Sequence, residues 1–172
     1  LPKNLYIWAT MNTSDQSLFP IDSAFKRRWD WEYVPIVDAG ENWVIDVRGD
    51  KYNWWTFLEK VNQIINTLTS SEDKKLGYFF AKAKGKVVDA NTLVNKVFFY
   101  LWNDVFKDYE LSTIKTFPLI KDTKDSEERP FAFGDFFNDK TGKIEEEVVK
   151  QFLDALMLTT KSATETTDQQ AE

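Results

Sequence analysis

The chain has neither cysteine nor histidine. Without cysteine there is no disulfide and no thiolate metal site. Without histidine there is no imidazole base, no Ser-His triad and no ordinary zinc centre. No window reaches the roughly 20 apolar residues that a membrane helix needs, and nothing resembles a secretory leader. A cytoplasmic protein with no membrane partner is the expectation. Positive charge is also scarce. Lys and Arg total 22 against 28 Asp and Glu, a net charge of −6, so the broad basic footprint of a nucleic-acid binder is missing. No Gly-x-x-x-x-Gly-Lys-Ser/Thr sequence occurs, so no phosphate-cradling loop is encoded.

What is present is aromatic bulk. Aromatics make up 16% of the chain and hydrophobic residues 42%, which argues for a real core rather than disorder. The 172 residues suffice for one ordinary domain or two small ones.

The most informative stretch runs from Asn4 to Trp31. Leu5 to Thr10 is an uncharged apolar run that reads as a buried strand. Asn12, Thr13, Ser14 and Asp15 follow it as turn and cap residues. Pro20 and Asp22 open a short helix that ends on Lys26, Arg27 and Arg28, and Trp29 to Val34 alternates as a second strand would. An Asn at the carboxyl end of a buried strand sits where α/β sheets bind ligands, although a turn-forming Asn needs no such role. Adjacent Arg27 and Arg28 cannot share one helix face. One could pair with Asp22 or Asp30 while the other points outward. A solvated basic helix end accounts for them as simply.

The run Ala9-Thr-Met-Asn-Thr-Ser-Asp15, followed by Ile21-Asp-Ser-Ala-Phe-Lys-Arg-Arg28, resembles the back half of an AAA+ ATPase core. The subgroup it looks like is the McrB-like one, the NTP-driven subunit of modification-dependent restriction systems. The resemblance implies that Asn12 is the sensor-1 residue and that Arg27 and Arg28 act across a subunit boundary. Lys26 stands where the family usually has a third Arg, and Trp29 where it usually has Phe. No apolar strand ending in paired acids precedes Asn4, so the magnesium-holding Walker B is absent along with the phosphate loop. The expectation is a fragment whose nucleotide-binding half lies upstream. Such a fragment should be inactive alone and hold no cofactor tightly.

Asp38 to Asn42 is a polar break. The expected organisation is an α/β core remnant over 1–36, a helical lid with a C-terminal extension over 43–158, and a disordered tail over 159–172. Trp43 to Val47 is a short strand or a linker. Asn53 caps a helix to about Leu68, and Asp89 or Asn91 caps another from about Ala90 to Phe106. A last helix runs from about Lys143 to Leu158. Leu76-Gly-Tyr-Phe-Phe and Lys96 to Asp108 also look like the McrB-like lid, which extends the resemblance over about Leu5 to Asp108. Familiar members carry Gly-His where this chain has Gly77-Tyr78, so a role assigned to that His has no counterpart. Lys74 and Lys75 fall near where the resemblance sets the lid's sensor-2 cation, although a solvated loop pair is the plainer reading of them. No residue set suggests a bound metal.

The resemblance implies GTP or ATP with Mg²⁺ in the intact protein. It also implies a ring, typically a hexamer, and a partner nuclease acting on DNA. The rival reading is an acidic helical module without nucleotide chemistry, docking a protein through the aromatic segment Phe131 to Phe137. A segment folding back onto the lid is the other expectation for those residues.

Overall fold

The computed structural model describes residues 2–9, 22–121 and 127–158. The chain divides into two units, one ending at Pro35 and one beginning at Ile36.

The first unit holds one short helix, α1 (Ser23–Lys26), begun at Asp22 and closed at Arg27. Phe25 and Trp29 pack at 5.9 Å between ring centroids, and the Trp31 indole N–H donates to the Lys26 carbonyl at 3.0 Å. The two strands expected here do not form among the described residues. Residues 5–9 and 29–34 have no ladder partner, and Tyr6, Trp8, Tyr33 and Val34 are largely exposed, Trp8 at 87%. The reason is physical. A strand is held by its ladder and by burial of alternate side chains. An apolar run with no paired neighbour has neither.

The second unit contains the core. β1 (Val44–Val47) pairs antiparallel with β2 (Asp50–Asn53) and parallel with β3 (Val87–Asp89), giving the order β2-β1-β3. The β1–β2 connection is Arg48-Gly49, both at positive φ (56° and 89°), the mirror-image turn whose twist suits a two-residue hairpin. Ile45, Val47 and Val88 are buried.

α2 (Trp54–Thr69) follows β2 directly. The Asn53 side chain accepts the Thr56 N–H at 2.8 Å and so satisfies one of the helix's orphan donors. Trp54, Phe57, Leu58, Val61, Ile64 and Ile65 are its buried stripe. Asn62 then fixes the returning chain twice, donating to the Leu76 carbonyl at 2.9 Å and accepting the Leu76 N–H at 2.7 Å.

α3 (Ala90–Thr92) starts at Asp89, whose carboxylate accepts the Thr92 N–H at 2.7 Å. The helix continues in wider turns, π-helical over Leu93–Phe98 and Leu101–Val105. It ends on a bond from the Phe106 N–H to the Leu101 carbonyl at 2.7 Å. Leu93, Val94, Val97, Phe98, Leu101 and Val105 are buried, while Trp102 is half-buried and donates its indole N–H to the Phe131 carbonyl at 3.1 Å.

Beyond residue 110, β4 (Leu119–Lys121) pairs antiparallel with β5 (Glu128–Pro130). The aromatic segment after β5 folds inward. Phe131 and Phe136 are buried and stacked, 5.8 Å apart. Arg129 braces the turn with a bidentate pair to Asp135 at 2.7 and 2.8 Å. Phe131 and Phe136 are thus part of the core, while Phe133 and Phe137 of the same segment are half-buried.

α4 (Glu146–Leu158) closes the unit, burying Val149, Phe152, Leu153 and Leu156. Phe152 sits among Phe98, Phe131, Phe136 and Trp102, with ring centroids 4.9 to 5.7 Å away. Polar ties join α4 to the hairpin. Arg48 meets Glu147 at 2.9 Å, the Tyr52 hydroxyl donates to Asp154 at 2.7 Å, and Lys150 bridges Asp154 and Asp50 at 2.9 and 3.3 Å. The tail expected over 159–172 lies outside the described residues.

Candidate functional site

Asn12 lies outside the described residues. Arg27 and Arg28 do not. Arg27 is the closing residue of α1, and Arg28 stands in the turn beyond it. Both are exposed, and among the described residues neither enters an ion pair. The internal pairing to Asp22 or Asp30 that the sequence allowed does not form there. Asp22 instead accepts the Ser23 hydroxyl at 3.4 Å. A guanidinium left in water at a helix end is cheap to keep and can meet an incoming phosphate or carboxylate.

Lys74 and Lys75 belong to the second unit. Residues Glu72–Lys74 form one 3₁₀ turn, and both lysines are half-buried. The Lys74 ammonium lies 5.5 Å from the Tyr109 ring centroid, and its carbonyl accepts the Tyr100 hydroxyl at 3.1 Å. Burial, with the Asp104 charge behind it, pushes the Tyr100 hydroxyl's pKa up, so that proton stays on as a donor. Lys75 pairs with Glu72 at 2.5 Å. Each ammonium therefore already has a partner within its unit. The seat of Lys74 on Tyr109 was not visible from spacing, because Tyr109 is 35 positions beyond it, whereas Glu72 is only three positions before Lys75.

Tyr78, for which the resemblance leads one to expect a His, is buried. Its hydroxyl oxygen accepts the Trp43 N–H at 3.2 Å, and its carbonyl accepts the Trp54 indole N–H at 2.8 Å. The residue ties the start of β1 to α2, with its phenol oxygen as a structural acceptor.

A surface cavity of about 340 Å³ opens near the start of the helix over 90–105, lined by Asn91, Asn95, Phe137, Gly142 and Lys143 among others. Asn91 and Asn95 are hydrogen-bonded to each other. Among the described residues there is no cluster of acidic side chains able to hold a metal ion, and no helix long and apolar enough to cross a membrane. The described site residues thus form two separate groups, an open arginine pair in the first unit and an engaged lysine pair in the second.

No protein-family model matches the chain, and no solved structure does. The chain is similar to the "Type II restriction enzyme BsuMI component YdiS" of Bacillus subtilis (strain 168). The two are 35% identical over 143 residues, which cover 77% of this chain and 41% of that protein. The chain thus spans about two fifths of the length of the curated relative it matches.

Proposed function

We propose that this chain is part of the motor subunit of a restriction system, an AAA+ NTPase of the McrB-like group. In this reading residues 1–36 are the end of the α/β core, and residues 43–158 are the helical lid with its extension. The observation that carries the reading is the 35% identity to a restriction-enzyme component over most of the chain. The open arginine pair at the end of α1 supports it, since a guanidinium that acts on a neighbour's nucleotide must be free in its own subunit. Asn12 would align the attacking water or the γ-phosphate. Arg27 or Arg28 would stabilise charge on the transferring phosphoryl. Lys74 and Lys75 are the weaker part of the assignment, because each is already engaged; a sensor-2 role requires one of them to leave Tyr109 or Glu72. The nucleotide is GTP or ATP with Mg²⁺, supplied with its phosphate loop by the rest of the subunit. The partners are further copies in a ring, a nuclease subunit and DNA.

The test is turnover. The 172 residues alone, assayed with GTP or ATP and magnesium, should give nothing above buffer. A subunit carrying these residues together with a phosphate loop should hydrolyse one of the two. There, Asn12→Ala should lower kcat by at least tenfold, about 1.4 kcal/mol of barrier. Turnover by the 172 residues alone, or an intact rate in Asn12→Ala, would overturn the assignment.

A further inference from the structure

Between Asp73 and Asp89 the chain has no acidic residue and five lysines, at 74, 75, 82, 84 and 86. In a chain of net charge −6 that is a local reversal of sign. Lys74 and Lys75 are engaged as described. Lys82, Lys84 and Lys86 are exposed, and none forms an ion pair among the described residues. Lys84 acts only through space on the Asp89 carboxylate, which is already occupied by Thr92.

Lys84 and Lys86 are held on a tight turn, and Lys82 lies two residues before it. Lys84 and Val87 exchange backbone bonds at 2.9 and 3.1 Å, with Gly85 and Lys86 between them at φ 57° and 69°. Glycine takes that conformation freely; lysine takes it at some cost. The turn is anchored to β1 by the Val44 N–H, which donates to the Lys86 carbonyl at 3.0 Å.

The residue before Val44 is Trp43, and against Trp43 lies Phe79. Phe79 is 67% exposed. Its ring is held edge-on by Trp43 at 5.5 Å and by Tyr78 at 5.3 Å between centroids. A ring fixed by two aromatic neighbours loses little entropy when it is covered.

We propose that Phe79, Lys82 and the turn carrying Lys84 and Lys86 form a binding surface for single-stranded nucleic acid. The lysines would take the phosphates, and Phe79 would stack a base. Charge complementarity selects a polyanion. The fixed, open ring selects a polyanion with flat apolar faces over an acidic peptide, because a base stacks on an aromatic side chain whatever the sequence. Nucleotide hydrolysis plays no part in this surface, so it stands or falls apart from the motor reading.

The test uses the whole chain and a fluorescent oligothymidylate of about 20 nucleotides, followed by anisotropy at several salt concentrations. Binding at low salt should weaken linearly in log–log form as salt rises. The triple variant Lys82→Gln, Lys84→Gln, Lys86→Gln should lower affinity at least tenfold and reduce the salt slope by about 2, three phosphate contacts at roughly 0.7 each. Phe79→Ala should lower affinity about tenfold with the slope unchanged, and Phe79→Trp should restore it. A control triple, Lys115→Gln, Lys121→Gln, Lys140→Gln, makes the same change in net charge and should leave the slope intact. Each variant is first checked for an unchanged thermal midpoint, and the lysine triple remains informative if Phe79→Ala fails to fold. The proposal is overturned if the chain does not bind at low salt, or if the two triples behave alike. It is equally overturned if polyglutamate displaces the oligonucleotide as well as unlabelled strand does, which would assign the surface to an acidic protein.

Discussion

Asn53 and Asp89 do the same job by the same atoms. Each puts a side-chain oxygen on the N–H three residues on, Thr56 in one case and Thr92 in the other. Loss of such a cap by Ala substitution costs about 1 kcal/mol. Asn53→Ala should therefore lower the unfolding free energy by about that much, while Asn53→Asp should keep most of it. Chemical denaturation with an unchanged m-value checks both. Tyr52 offers a separate test, in pH. Burial, then the hydrogen bond to Asp154 and that carboxylate's charge, push its hydroxyl pKa up to about 12. A folded pKa above the unfolded value of about 10 means the protonated form is favoured in the native state. The stability it contributes is complete below pH about 10 and is lost as pH rises toward about 12. Tyr52→Phe should flatten that alkaline limb and leave the neutral region lower by the loss of one hydrogen bond. A limb of the same steepness in both proteins would show that Tyr52 is not its source.

At the scale of elements, the aromatic segment after β5 gives the sharpest expectation. Phe136 is fully buried and touches Phe98, Trp102, Phe131 and Phe152. Truncating a buried Phe to Ala costs about 3–5 kcal/mol, so Phe136→Ala should lower the unfolding free energy by that amount, read from chemical denaturation. A docking segment would tolerate the change with no loss of stability. How legible each element was follows from what holds it. α2 was readable because its cap, its 3.6-residue stripe and its length are all local in sequence. The helix over 90–105 was readable as a helix but not as a widened one, since apolar residues at i and i+4 share a face in either winding. The sheet was barely readable. β1 and β3 are four and three residues long, and their parallel pairing joins Val44 to Val87, a separation that no local pattern reports. The run at residues 5–9 misled for the complementary reason. Its apolarity is real, but a strand needs a partner, and none is supplied among the described residues. Of the candidate site, the exposure of Arg27 and Arg28 follows from their place at a helix end; the engagement of Lys74 by Tyr109 required the fold.

For the whole molecule, the motor proposal has to be tested on whether Arg27 or Arg28 serves its own subunit or the next one. In the proposed motor, Arg27 closes α1 and Arg28 stands in the turn beyond it, and one of the two would meet a neighbour's nucleotide. The other would hold its own subunit. Mixing resolves this in a subunit that joins these residues to a phosphate loop. One variant lacks the arginine, as Arg27→Ala or Arg28→Ala. The other keeps both arginines and lacks the phosphate-loop lysine. Each alone should be inactive. When combined, a trans-acting arginine predicts partial recovery, because some interfaces then pair an intact guanidinium with an intact phosphate site. A cis-acting arginine predicts none, since every intact phosphate loop sits in a subunit without its arginine. One of the two positions should show recovery and the other should not. Loss of a finger arginine typically lowers turnover by several orders of magnitude, so recovery of even a few per cent is readable above that floor. If neither Arg27→Ala nor Arg28→Ala lowers turnover tenfold, the exposed pair at the end of α1 is a solvated helix terminus, and the trans-acting role belongs to another residue.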